Sequence, residues 1–237
     1  VTLFEASDKL GGAIKHADYI PFKWTLKDYK DYLIAQVAKR DIRVVMNTRV
    51  TPDMIEDQYD VVIAAVGAEP VVPKIPGADG ANVTIATDAI MNSEKIGRNV
   101  VIIGGGEVGV EAGMNLAQKG HEVTVLEMTH MLAPESTAIH YYSMFKDAWE
   151  KLPGFHSVVK ATVTAVEDDR VTYLDAEGVE HAIPCDSVVI SLGMRAKTDE
   201  ALAFSSTADR FAIIGDCKKP ATVQQAMRQA YAVAHSI

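Results

Sequence analysis

The sequence predicts an α/β fold in which parallel sheets are covered by helices, on three observations. Residues 100–103, VVII, form a short apolar run that stops abruptly at glycines, as a buried strand does. Gly104, Gly106 and Gly109 follow with G-x-G-x-x-G spacing and open a helical pattern, with Val108, Ala112 and Leu116 on one face and Gly120 as its stop. A second apolar strand, 123–126, then ends in an acid, Glu127. Together these make a β-α-β unit.

Such a unit with these glycines is a dinucleotide fingerprint in its required context. Gly104 permits the tight turn out of the strand, Gly106 lets a pyrophosphate approach the backbone, and Gly109 lets helix and sheet pack closely. The helix start offers unpaired N–H groups and a positive dipole end to phosphates. Glu127 stands where it can accept both ribose hydroxyls of an adenosine. It also selects the cofactor. A 2′-phosphate beside it would place like charges a few ångströms apart, a penalty on the order of a few kcal/mol at an effective dielectric near 20. Met128, Thr129 and His130 follow, and the next basic residue is Lys146. NAD(H) is therefore expected over NADP(H).

Composition sets the outer limits. The 237 residues suffice for one large or two small domains, and 48% hydrophobic with 23% charged residues is ordinary for a globular protein. A net charge of −9 argues against nucleic-acid or anionic-membrane partners. No apolar run approaches the ~18 residues of a membrane span, and no signal peptide is visible. Cys185 and Cys217 lie far apart and belong to no C-x-x-C pair. Neither a disulfide framework, a redox dithiol nor a metal site is expected, and a reducing cytoplasm is inferred.

The remaining elements follow in order. Residues 1–4 read as a strand with Glu5 at its end and Gly11-Gly12 as a turn, the back half of another nucleotide unit whose glycine-bearing front half would precede Val1. Residues 25–40 look helical, with Leu33 and Val37 inward, and 42–46 and 59–66 read as strands, the latter ending at Gly67. Pro70, Pro73 and Pro76 enforce an extended segment that reads as a linker. Residues 157–190 read as consecutive strands with turns at Asp168-Asp169 and Ala176-Glu177-Gly178. A last strand at 211–214 ends in Gly215-Asp216, and a helix at 222–234 closes the chain.

These motifs resemble, in order, those of the two-dinucleotide-domain flavoproteins of the pyridine nucleotide–disulfide oxidoreductase superfamily. VTLFEASDKLGG resembles the ribose-binding strand and turn for FAD, DVVIAAVGAEPVVPKIPG the crossover, GGGEVGVE the NAD fingerprint, SVVISLGM a second strand-to-glycine turn at Gly193, and FAIIGDC the closing FAD motif. No dithiol follows Gly11-Gly12, unlike the disulfide reductases. GDCKKPATVQQAMRQAY resembles the carboxy-terminal region of NADH:flavin oxidoreductases of the 2,4-dienoyl-CoA reductase and 2-enoate reductase type.

The resemblance implies two Rossmann-like domains, an NAD-binding one (98–207) inserted into an incomplete FAD-binding one (1–97 and 208–237). It implies NAD(H) on Gly104, Gly106, Glu107, Val108, Gly109, Glu127 and Gly193, with Glu111 either near the nicotinamide and flavin or a solvated helix acid. It implies FAD on Glu5, Gly12, Gly67, Gly215 and Asp216, weakly or not at all in this chain alone. Lys9 either contacts the FAD adenosine or faces solvent, and Cys217 is a small buried residue. Hydride would pass from NADH to FAD, and electrons would leave singly through a 4Fe-4S cluster to an amino-terminal barrel carrying FMN, where an enoyl-CoA or enoate-type small molecule is reduced. No side chain is expected to act as a catalytic acid, base or nucleophile, because hydride transfer is the cofactors' chemistry. The chain reads as a fragment, inactive alone and possible as a homo-oligomer. Two half-sheets left by the absent strand would either close up or be covered by another chain. Two other readings stay open: a non-catalytic ADP-binding module as in trimethylamine-dehydrogenase-like proteins, and the reductase part of a ferredoxin reductase or glutamate synthase small subunit.

Overall fold

The computed structural model describes residues 1–134, 136 and 139–237. In chain order the first elements are β1 (Thr2–Phe4), α1 (Trp24–Ala38), β2 (Arg43–Val45), β3 (Val61–Ala64) and β4 (Ala68–Pro70). Then come β5 (Val83–Ile85), α2 (Ala86–Met91), β6 (Asn99–Ile103), α3 (Glu107–Gln118), β7 (Glu122–Glu127), α4 (Ile139–Glu150) and β8 (Phe155–Val159). The rest are β9 (Thr162–Val166), β10 (Arg170–Leu174), β11 (Glu180–Pro184), β12 (Ser187–Ile190), β13 (Met194–Ala196), α5 (Thr198–Leu202), β14 (Arg210–Ile213) and α6 (Val223–Ala234). No helix among the described residues is long and apolar enough to cross a membrane.

The chain forms two compact units, one of residues 1–18, 22–69 and 194–237, the other of 19–21 and 70–193. From sequence the boundaries stood at 98 and 207. Compactness puts 70–97 with the second unit because β5 pairs in parallel with β12, Val83 opposite Val188.

The second unit is a five-stranded parallel sheet in the order β5-β12-β6-β7-β8. Strand β6 lies centrally, and Val100 to Ile103 are buried on both faces, as a sheet covered on both sides requires. Ile102 faces α3, its Cδ1 in line with Gly113. Val101 and Ile103 face the other way, packing with Val166, Val171 and Tyr173 of the antiparallel sheet β11-β10-β9. The layers are therefore helices, parallel sheet and antiparallel sheet. Each such fully buried valine or isoleucine stabilises the unit by about 1.5–3 kcal/mol. Ala112 and Leu116 are buried as their spacing predicts, whereas Val108, in the first turn of α3, is 41% exposed.

The first unit is sparser. Among the described residues its strands form separate pairs: β1 with β2, β3 with β14, and β4 with β13. The first two are parallel, Thr2 opposite Arg43 and Val61 opposite Arg210. Two-stranded sheets are marginal by themselves, and parallel ones are usually buried inside larger sheets. Here Leu3 and Ile63 remain 37% and 39% exposed. The half-sheets have not joined. What holds them is a small cluster of Ile55, Val62 and Phe204 with Phe4 and Tyr59 packed against it. Helix α6 is capped at its start by Thr222, whose side chain accepts the Gln225 N–H.

Candidate functional site

The turn between β6 and α3 is held at every peptide. Gly104 has φ +105°, and its N–H donates to the Leu126 carbonyl at 2.9 Å. A Cβ on Gly109 would overlap the Gly104 carbonyl oxygen and lie 3.2 Å from Ser191 Oγ, so the helix start is pressed onto the turn. Gly106 caps α3 with extended backbone and no side-chain hydrogen bond, leaving the first N–H groups of the helix directed away from it.

Gly105, the variable position of the fingerprint, is the most constrained residue of the turn. Its N–H donates to Glu127 Oε2 at 2.7 Å, and its carbonyl accepts the Ala133 N–H at 2.7 Å. Glu127 is 8% exposed, and its Oε1 accepts the Thr129 N–H at 2.7 Å. A carboxylate held by two backbone donors keeps further lone pairs for a diol, in a fixed direction.

Other residues singled out by sequence lie around this turn. Glu107 is half-buried and accepts the Ser136 hydroxyl at 3.1 Å. Glu111 is fully buried, which rules out the solvated helix acid. Asn115, one turn on, is 1% exposed, and neither of its side-chain polar atoms has a hydrogen-bond partner among the described residues. Tyr141 lies close enough that burial, together with the Glu111 and Glu107 charges, pushes its hydroxyl up to about 12. Gly193 ends the chain's run through this unit with φ +84° and open space beside it.

In the first unit, Glu5 repeats the local geometry of Glu127. Its Oε1 accepts the Ser7 N–H, two residues on, at 2.8 Å, and the Ser7 hydroxyl at 2.6 Å. Burial works to raise its pKa, but the Ser7 hydrogen bonds and the Lys15 ammonium outweigh it and hold the carboxyl below the usual range. Gly12 and Gly67 are open turns with φ +54° and +78°. Gly215 donates its N–H to Gln229 Oε1 at 2.8 Å, and Asp216 Oδ1 accepts the Ala221 N–H at 3.2 Å. Cys217 is fully buried. No metal-binding group of side chains exists among the described residues.

Several contributors escaped sequence reading because they come from distant segments. Lys15, not Lys9, stands beside Glu5, its ammonium 3.8 Å away. Gln229 holds Gly215 from the second turn of α6. Ser191 donates its N–H to the Ile103 carbonyl at 2.8 Å and borders the glycine turn. Lys160 comes from another distant segment. Val159 lies opposite Glu127 in the sheet, and the Lys160 N–H donates to the Thr129 carbonyl at 2.8 Å. The strand pairing thus brings the backbone of an exposed basic residue onto Thr129, two residues past Glu127.

The fold and this turn define a Rossmann-like α/β protein of the dinucleotide-binding kind. The chain belongs to the pyridine nucleotide-disulphide oxidoreductase family, whose model matches residues 23–230. It is 28% identical to the Metal reductase of Desulforamulus reducens over 98% of this chain and 39% of that protein. It is 29% identical to the Cinnamate reductase of Clostridium sporogenes, over 100% of this chain and 36% of that protein. Among solved structures, a 2-naphthoyl-CoA reductase complex superposes with a TM-score of 0.93 at 31% identity, covering 100% of this chain and 36% of that one. The chain therefore spans little more than a third of the length of these relatives.

Proposed function

We propose that this chain is the NADH-dependent reductase module of a larger flavoenzyme, passing hydride from NADH to FAD. The observation that carries this reading is the Glu127 carboxylate, buried and oriented by Gly105 and Thr129 beside the N-terminus of α3. In this reading Glu127 accepts the adenosine ribose hydroxyls, while the backbone around Gly104, Gly106 and Gly109 receives the pyrophosphate. Glu107, Val108 and Gly193 line the path of the rest of the dinucleotide, whereas Glu111 is fully buried beneath the surface. Exposed Val108 suits a ligand-facing position.

The FAD residues fit in part. Glu5 is oriented for a ribose, and Asp216 and Gly215 are fixed by their neighbours. FAD is proposed to be held weakly or not at all by this chain alone. When bound, the nicotinamide supplies a hydride and the flavin accepts it; the chain's side chains bind and orient and move no proton.

The intact protein is proposed to carry a barrel domain with FMN and a 4Fe-4S cluster, where an enoate or enoyl-CoA-type substrate is reduced. The relatives' names support separating that choice from this module. They cite a metal, cinnamate and a naphthoyl-CoA, chemically dissimilar acceptors, yet this chain matches nearly the same share of each protein. Calorimetric titration with NADH, NADPH and ADP, with the visible spectrum recorded for flavin, tests the reading. NADH binding more tightly than either supports it. ADP binding as tightly as NADH favours a non-catalytic nucleotide module, and absence of binding removes the assignment of Glu127.

A further inference from the structure

A peptide group is a rigid plane in which the carbonyl of one residue and the N–H of the next point in opposite directions. The carbonyl of the Gly105–Gly106 peptide is held by the Ala133 N–H at 2.7 Å. Its N–H, on Gly106, is thereby turned the other way, where it meets no acceptor among the described residues. The preceding peptide is held as well, through the Gly105 N–H to Glu127 Oε2.

The segment that does this is built for contact with the turn. Leu132 and Ala133 are 4% and 0% exposed. Leu132 lies directly over Gly105, where a Cβ would overlap Leu132 Cδ2 and lie 2.9 Å from Glu127 Cβ. Ala133 has φ +45°, a left-handed conformation that L-residues other than Gly, Asn and Asp rarely adopt. The neighbouring loop is fastened independently of the turn: the Thr129 hydroxyl donates to the Met131 carbonyl at 3.1 Å, and the Lys160 N–H to the Thr129 carbonyl at 2.8 Å.

We propose that Leu132 and Ala133 form a positioning strap for the dinucleotide, aiming the Gly106 N–H at the pyrophosphate before it arrives. The proposal rests on the NADH reading above. Neither residue touches the cofactor; both act through Gly105 and Gly106. The left-handed Ala133 is what brings its N–H onto the Gly105 carbonyl, and Leu132 keeps that carbonyl from rotating by filling the space over Gly105.

The test uses the full chain with Leu132→Ala, and with Leu132→Val should the larger trim not fold. NADH, ADP and adenosine are titrated by calorimetry, or by NMR for the weak ligand. Adenosine carries the ribose for Glu127 but no phosphate. Loss of one aimed hydrogen bond to a charged group is expected to weaken NADH and ADP about tenfold, with adenosine changed less than about twofold. The Gly106 amide resonance should shift when inorganic pyrophosphate is added to the unaltered chain and shift less in Leu132→Ala. Equal weakening of ADP and adenosine, or a lower melting temperature with ADP affinity unchanged, overturns the strap and leaves the NADH reading standing. An unaltered chain that binds neither NADH nor ADP overturns both.

Discussion

Glu5 and Glu127 each end a strand, and each accepts the N–H of the residue two positions on. They differ in the second oxygen. Glu127 Oε2 takes a further backbone donor from the glycine turn of the strand beside it, whereas among the described residues the hydrogen bonds to the Glu5 carboxylate fall on Oε1. Around Glu127 the sheet has five strands; around Glu5 it has two. The same local sequence habit thus gives a carboxylate held through both oxygens only where a neighbouring strand supplies the turn. Glu5 compensates with a serine hydroxyl and a nearby lysine ammonium, partners that water can replace.

The largest expected contrast lies in the glycines. Gly109→Val drives a branched side chain into the Gly104 carbonyl and should cost about 3 kcal/mol or more in urea unfolding, with NADH binding lost. Gly12→Ala meets no atom within 4 Å and pays only for its positive φ, about 1–2 kcal/mol. Equal losses would mean that the first unit is packed as tightly as the second.

Next come the acids themselves. Glu127→Gln turns an amide toward backbone donors in a buried place and should lower stability by about 1–3 kcal/mol, with NADH weakened at least about tenfold. Glu5→Gln should leave NADH affinity unchanged in the same titration. A matching loss there would break the distinction between the two sites.

Lys160→Glu should widen the preference for NADH over NADPH by about fivefold at low salt, shrinking as salt is added, because an exposed charge acts across water. No change would show that Lys160 does not reach the 2′ position.

The smallest effect is in pH. His16, half-buried, has its pKa lowered chiefly by desolvation. A lowered folded value means that the unfolded chain takes up the proton first. Its contribution is therefore full above the unfolded value near 6.5 and falls away as pH drops below it. Glu5, also lowered, adds to the loss further into acid, below the usual carboxylate range. Melting temperature should decline from pH 7.5 to 5.5, and His16→Gln should flatten that decline.

Much of this architecture was legible in local spacing. Residues 99–127 needed only the apolar runs and glycines, and α6 lies within the helix read at 222–234. Helices α2 and α4 were not assigned from sequence. Six-residue α2 has no side-chain cap to mark its start. Helix α4 did carry a signal, Tyr141, Phe145 and Trp149 at four-residue spacing, with Phe145 and Trp149 packed edge to face at 4.9 Å. The same stretch also carries Ile139, Tyr142, Met144 and Ala148, which spread apolar residues around the helix and blur the stripe.

The sequence by itself determined the β-α-β unit, the acid at its end and the absence of a dithiol, because each depends on residues within a few turns of one another. Only the tertiary structure decided that Gly105 is fixed by Ala133, that the Lys160 N–H meets the Thr129 carbonyl, that residues 70–97 join the second unit, and that the two half-sheets of the first remain unpaired. Those outcomes depend on strand order and on hydrogen bonds between segments far apart in the chain, and neither periodicity nor spacing encodes which distant strands become neighbours.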